Sequence, residues 1–358
     1  MKFLKQHEIN NRYVTNFTLE KVLQGLDKNI FDVSVAGKSV LQKNIYRINF
    51  GTGDFKILLW SQMHGNESTT TRAVFNFLNS VGSQSEILKF FTFTFLPILN
   101  PDGAEAFTRV NANNVDLNRD SDQLTQPESK LLRGIFDDFK PDLALNMHDQ
   151  RSIFAAGDTN NPATLSFLAP AYNDSCDIND TRMFAMQLIA SIRSTIAPTM
   201  VQNIGRFDDA FNINCIGDMF TYLNVPTILF EAGFSVNDYQ RTVAQNLVEG
   251  CLNSLLTSIM TSDYKKFTVN EYLSIPENTK NFVDIITSNF TTDNCNVSNT
   301  LPIVFKEELI NNEIVLVPTI DYDSAPNFKY GHLYLDCAQK TININDDLTE
   351  VLKNLTIS

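Results

Sequence analysis

Residues 55–78 read FKILLWSQMHGNESTTTRAVFNFL. The first seven, FKILLWS, are a continuous apolar run of strand length, as expected of a strand covered on both faces. From Glu67 onward the spacing becomes helical, with Ala73, Phe77 and Leu78 as the apolar positions. The change of period falls across His64-Gly65-Asn66-Glu67. The same alternation continues along the chain. FFTFTFLPI (90–98) is strand-like and is broken by Asn100-Pro101-Asp102-Gly103. Thr125 and Glu128 form a predicted capping box with Pro127 in the first turn, and Lys140-Pro141-Asp142 should end that helix. LALNMH (143–148) and PTILF (226–230) are further buried strands, and 181–196 and 237–260 have helical spacing. Strands alternating with helices imply an α/β fold: a three-layer sandwich with a mixed, mostly parallel central sheet.

Beyond about residue 262 the texture changes. LPIVF (301–305), EIVLVP (313–318) and HLYLD (332–336) are short β-prone pieces separated by polar turns. The expected division is therefore a large domain over 1–262 and a small β-rich C-terminal module over 263–358. With 358 residues, one large domain and an appendage is the natural split. A hydrophobic content of 43% with 19% charged residues excludes wholesale disorder. The net charge of -13 repels phosphates and anionic lipid, so neither nucleic acid nor a membrane is an expected partner. Five scattered cysteines without a C-x-x-C pair fit free thiols better than a disulfide framework. No apolar run reads as a signal peptide or a membrane span, so a cytoplasmic location is expected.

In sheets of this kind, sites form just beyond the carboxyl ends of strands. His64, Asn100, His148 and Glu231 all fall at predicted strand ends. Zinc takes imidazole nitrogen and carboxylate oxygen, and His64 with Glu67 at a folded-back turn could share one ion. Only His7, His64, His148 and His332 are available as histidines. His148, at a strand end, is the natural third ligand; His7 reads as a surface residue and His332 as structural. Two His and one Glu leave a position open for water, as in hydrolytic zinc sites. Each motif alone has a plain structural reading, Glu67 at a helix start for example.

The ordered set is more specific than its members. HGNE (64–67), NPDG (100–103), Thr108-Arg109, DLNR (116–119), a strand-end His148 and FEAG (230–233) follow one another in that order. Over about residues 40–260 this resembles the zinc metallocarboxypeptidases of the carboxypeptidase A type. The resemblance implies one zinc ion held by His64, Glu67 and His148, and Glu231 as general base. It implies Arg109 as the group that polarises the scissile carbonyl, and Asn118 with Arg119 as the grip on the substrate's terminal carboxylate. Asp116 would orient the first ligand histidine. General chemistry agrees: an oxyanion needs a cation, a carboxylate suits a guanidinium, and a carboxylate can fix an imidazole tautomer.

The expected activity is removal of a C-terminal residue from peptides, with water activated by zinc and Glu231. The alternatives are a zinc deacylase of N-acyl amino acids, of the succinylglutamate desuccinylase and aspartoacylase type, a cell-wall stem-peptide peptidase, or a binding module without catalysis. Two departures stand out. The family's mobile active-site tyrosine has no match in residues 205–211, and the segment between His148 and Glu231 is short. An uncharged pocket floor is expected around Ile216 and Gly217.

Overall fold

The computed structural model describes residues 11–288, 300–320 and 328–337. His7 and Cys295 lie outside the described residues. In chain order the elements are α1 (Asn16–Gly25), β1 (Asp32–Lys38), β2 (Asn44–Gly51), β3 (Phe55–Ser61), α2 (Thr69–Val81), α3 (Ser85–Phe90), β4 (Phe91–Leu96) and α4 (Pro101–Ala106). They continue with α5 (Pro127–Phe139), β5 (Leu143–Asp149), β6 (Phe154–Ala156), β7 (Leu165–Leu168), α6 (Asp180–Thr195), β8 (Ile204–Arg206), α7 (Ile216–Tyr222), β9 (Thr227–Ala232) and α8 (Thr242–Thr261). The last are α9 (Val269–Leu273), β10 (Asn278–Lys280), β11 (Phe282–Ser288), β12 (Leu301–Ile310), β13 (Glu313–Ile320) and β14 (Tyr330–Asp336).

The main sheet has the order β1-β2-β4-β3-β5-β9-β7-β8. Its middle four strands, β4, β3, β5 and β9, run parallel, and antiparallel pairings lie toward the edges. The apolar run at 55–61 is continuous because β3 is covered on both faces. Ile57 and Leu59 enter the core beneath α1, α2, α6 and α8. Leu58 and Trp60 enter the opposite core, beneath α5 and α7. This is the three-layer α/β arrangement expected from the alternation.

Two local readings differ from the structure. The capping box does not form: α5 begins at Pro127 with Gln126 as its cap residue and no side-chain cap bond. The Thr125 hydroxyl donates instead to Asp120 Oδ1 at 2.7 Å. Glu128 is fully buried and accepts from Val40 N and Asn111 Nδ2. A tertiary partner for each side chain wins over the local bond. The elements before residue 45 carry no strong period. α1, β1 and β2 are part of the sheet and its cover nonetheless.

Beyond α8 the chain first rejoins the main body. Tyr272 and Ile275 are buried in the main core, and the Ala169 amide donates to Tyr272 Oη at 3.1 Å. β10 pairs with β6. A second sheet of order β13-β12-β11-β14 follows, with its own small core of Ile285, Leu301, Ile303, Leu335 and Cys337.

Candidate metal centre

The HGNE turn is held open by a second turn packed against it. Asn100 caps α4, accepting from Gly103 N at 2.9 Å, and its amide donates to Met63 O at 3.2 Å. Asp102 accepts from Ser39 Oγ and the Leu41 amide. Gly65 lies so close to Gly103 that a Cβ at Gly65 would come within 2.0 Å of the Gly103 carbonyl carbon. Asn100 thus braces the turn from behind; of the four strand-end residues, His64 and His148 join the cluster of donors.

His64, Glu67 and His148 converge, with one donor atom from each lying within 4.8 Å of the others. Glu67 Oε1 is 2.8 Å from His64 Nδ1, and Glu67 Oε2 is 2.8 Å from His148 Nδ1. The two Nδ1 atoms are 3.1 Å apart. His64 Nε2 meets Asp116 Oδ1 at 3.0 Å. Donation from Nε2 to that carboxylate sets the tautomer and leaves the Nδ1 lone pair facing the cluster. Both rings are buried. Two imidazole nitrogens and a carboxylate are a donor set that fits zinc.

The site's electrostatics follow from this crowding. Burial works against a charged His64 ring, but Glu67 and Asp116 outweigh it and raise its pKa. Burial dominates at His148 and lowers its pKa. Burial also works against ionised Glu67 and Asp116. The adjacent histidines hold Glu67 well below the usual carboxylate range. Asp116 is held low by His64 and Arg109.

Glu231 stands opposite His148 in the β5–β9 register. The alternation of β5 and β9 places both residues on the α5–α7 side of the sheet, since Ile228, Phe230 and Ala232 occupy the other core. Among the described residues, the Glu231 carboxylate has no hydrogen bond or ion pair. Its pKa is raised well above the usual range by burial, then by Glu67 and Asp149. Arg109 reaches over the cluster, donating from Nε to Asp116 Oδ2 at 3.0 Å and from Nη1 to Glu67 Oε1 at 3.4 Å. Its side chain remains 48% exposed, so it has room to swing to a ligand.

Asn118 and Arg119 lie on a short helical turn capped by Asp116, whose Oδ1 accepts from Asn118 N at 2.9 Å. Asn118 Oδ1 accepts from Ile216 N at 3.0 Å, and Arg119 Nη1 contacts Cys215 Sγ at 3.2 Å. The predicted floor is therefore beside this pair. Ile216 is buried and a Cβ at Gly217 would meet Pro170. The floor also carries Asp218, whose pKa burial raises to about 7.

The structure adds groups that the motifs did not flag. Asp149 accepts from the Thr69 and Thr70 amides at the start of α2. Arg241, 6% exposed, donates to Gln150 O and Ala232 O. An Asp directly after the strand-end histidine was a weak signal; Arg241 gave none, because its neighbours are distant in sequence. His332 is structural, with Nε2 at 2.7 Å from Ser152 O.

Comparison with known proteins agrees with this arrangement. Residues 19–148 match the model of the zinc carboxypeptidase family. Carboxypeptidase 2 of Trichophyton tonsurans is 31% identical over 108 residues, covering 28% of this chain and 19% of that protein. The chain thus spans about a fifth of the length of the curated relatives it matches. Among solved structures, a metallo-carboxypeptidase from Burkholderia cenocepacia superposes with a TM-score of 0.54 at 15% identity, covering 69% of each chain. Carboxypeptidase A from Helicoverpa armigera gives a TM-score of 0.51 at 17% identity, covering 69% of this chain and 74% of that one. These two likenesses establish the fold.

Proposed function

We propose that the chain, whose residues 19–148 match the model of the zinc carboxypeptidase family, belongs to that family and removes a C-terminal residue from peptides. The observation that carries this reading is the placement of Glu231, without a hydrogen-bond or ion-pair partner among the described residues, opposite His148, with Asn118 and Arg119 on the turn that Asp116 caps. The family is zinc-dependent, and His64, Glu67 and His148 would hold the ion. Zinc so held would supply the Lewis acidity that makes water nucleophilic near neutral pH. Glu231 takes the proton of the attacking water and later returns it to the leaving amine. Its raised pKa suits a group that must do both. Arg109 leaves its contacts with Glu67 and Asp116 to donate to the oxyanion that forms at the scissile carbonyl. Arg119 and the Asn118 amide grip the terminal carboxylate.

The test is hydrolysis of a peptide panel by zinc-loaded and chelated protein, with each peptide offered as the free acid and as the amide. Cleavage of free acids alone, lost on chelation and restored by zinc, is the expected result. Cleavage of N-acyl amino acids without any cleavage of peptides would move the reading to a deacylase. No turnover of either would sink it.

We also propose a large domain followed by a small β-rich module, with residues 263–280 packing on the main body ahead of the second sheet, and a cytoplasmic location. Limited proteolysis and cell fractionation test them. Among the described residues, no helix is long and apolar enough to cross a membrane.

A further inference from the structure

A pocket of about 370 Å³ opens beside Glu67 and Arg109. That volume is at the small end of ordinary ligand sites. Its near side is formed by Asn66, Asp149 and Arg241, all adjacent to the donor cluster. Its far side belongs to the second sheet: Phe305 and Lys306 of β12, Leu316 and Thr319 of β13. Asn118, Arg119, Cys215 and Ile216 are not among its lining residues. The carboxylate grip and the pocket therefore flank the cluster on different sides, one reached through Asp116 and the other through Glu67.

The far side is a fixed wall. Arg12, 5% exposed, forms a two-pronged pair with Glu307 at 2.5 and 2.8 Å. Buried Asp284 of β11 accepts from the Tyr239 hydroxyl at 3.1 Å and from Phe305 N at 2.7 Å. Ile153 of the main body packs with Val283 and Val304. The rings of Tyr239 and Phe305 meet edge to face with centroids 5.4 Å apart. Burying these apolar and paired groups together makes displacement of the hairpin costly.

We propose that the β12–β13 hairpin stops the amino-terminal side of the substrate. The enzyme then acts on short peptides of a few residues with a free C-terminus and discriminates against long chains. This rests on the reading above, which places the terminal carboxylate at Asn118 and Arg119; from there the rest of the chain would run past Glu67 into the pocket. An extended chain advances about 3.3–3.6 Å per residue, so a pocket of this size, bounded on its far side by the hairpin, holds few residues.

The test measures binding by calorimetry to zinc-loaded Glu231→Gln protein, which separates recognition from turnover. The probes are Ala-Ala-Leu and an octapeptide that ends in the same three residues. The octapeptide should bind about tenfold more weakly or worse, equivalent to about 1.4 kcal/mol. The double variant Lys306→Ala with Leu316→Ala widens the far side and should recover octapeptide binding relative to the tripeptide. Thr319→Trp narrows it and should weaken the tripeptide as well. Thermal melts of each variant check that the fold is kept. Equal affinity for both peptides with the native hairpin, or variants that shift both peptides equally, overturns the proposal while leaving the peptidase reading intact. Binding of neither peptide, with no turnover by the native holoprotein, overturns both.

Discussion

At the scale of single residues, Asp116 and Glu231 are carboxylates next to different histidines of the cluster, Asp116 bonded to His64 and Glu231 opposite His148 in the sheet, and their surroundings set them apart. Asp116 is committed to His64, Arg109 and the Asn118 amide, and is held low. Glu231 has no such partner among the described residues, and burial raises it. The first arrangement suits a positioning group and the second a proton carrier. Glu231→Gln should therefore lower kcat by about 10²–10⁴-fold with zinc content unchanged by elemental analysis. Asp116→Ala should instead weaken zinc affinity by about 10–100-fold, read by competition with a chelating dye. Retained affinity in the second variant would leave Asp116 as an ordinary turn residue.

At the scale of elements, the site depends on how two turns touch. The HGNE turn after β3 and the NPDG turn after β4 meet at Gly65 and Gly103, with no room for a side chain between them. Gly65→Ala should cost about 3 kcal/mol or more, seen in denaturant melts, and the protein should lose its zinc. Gly250, inside α8, is the contrasting case: a Cβ there meets nothing within 4 Å. Gly250→Ala should stabilise by about 0.5–1 kcal/mol, because alanine loses less backbone entropy on folding. The failed capping box at Thr125 belongs to this scale too. Its residues were drawn away by Asp120, Val40 and Asn111, which the local sequence pattern did not weigh.

At the scale of the whole molecule, the second sheet is joined to the main body through buried polar and aromatic groups. His332 is one of these, stacked on Phe282 with centroids 4.5 Å apart and bonded to Ser152 O. Burial lowers its pKa to about 4. The unfolded chain holds this histidine near its ordinary value of about 6.5. Between those values the unfolded state takes up a proton that the folded state refuses, so its contribution to stability falls as pH drops from about 6.5 to about 4. The loss across that window is at most about 3–4 kcal/mol. His332→Gln should flatten this part of a melting-temperature profile, and an unchanged slope would assign the acid sensitivity to other groups.

The order of apolar runs and helical spacings, with HGNE, NPDG, DLNR and FEAG at the breaks, was enough to give the three-layer fold. It also gave the identity of the donor residues, because strand burial and ligand chemistry are written locally. Residues such as Asp149 and Arg241, and the wall formed by β12 and β13, came only from the tertiary structure. Their partners are distant in sequence: Asp149 accepts from the Thr69 and Thr70 amides, Arg241 bonds Gln150, and Arg12 reaches Glu307. The three donors were legible from Gly65, Glu67 and two strand-end histidines. What lies beyond them was decided by how the second sheet packs beside the donor cluster, since that packing depends on side chains meeting across the fold rather than on any local period.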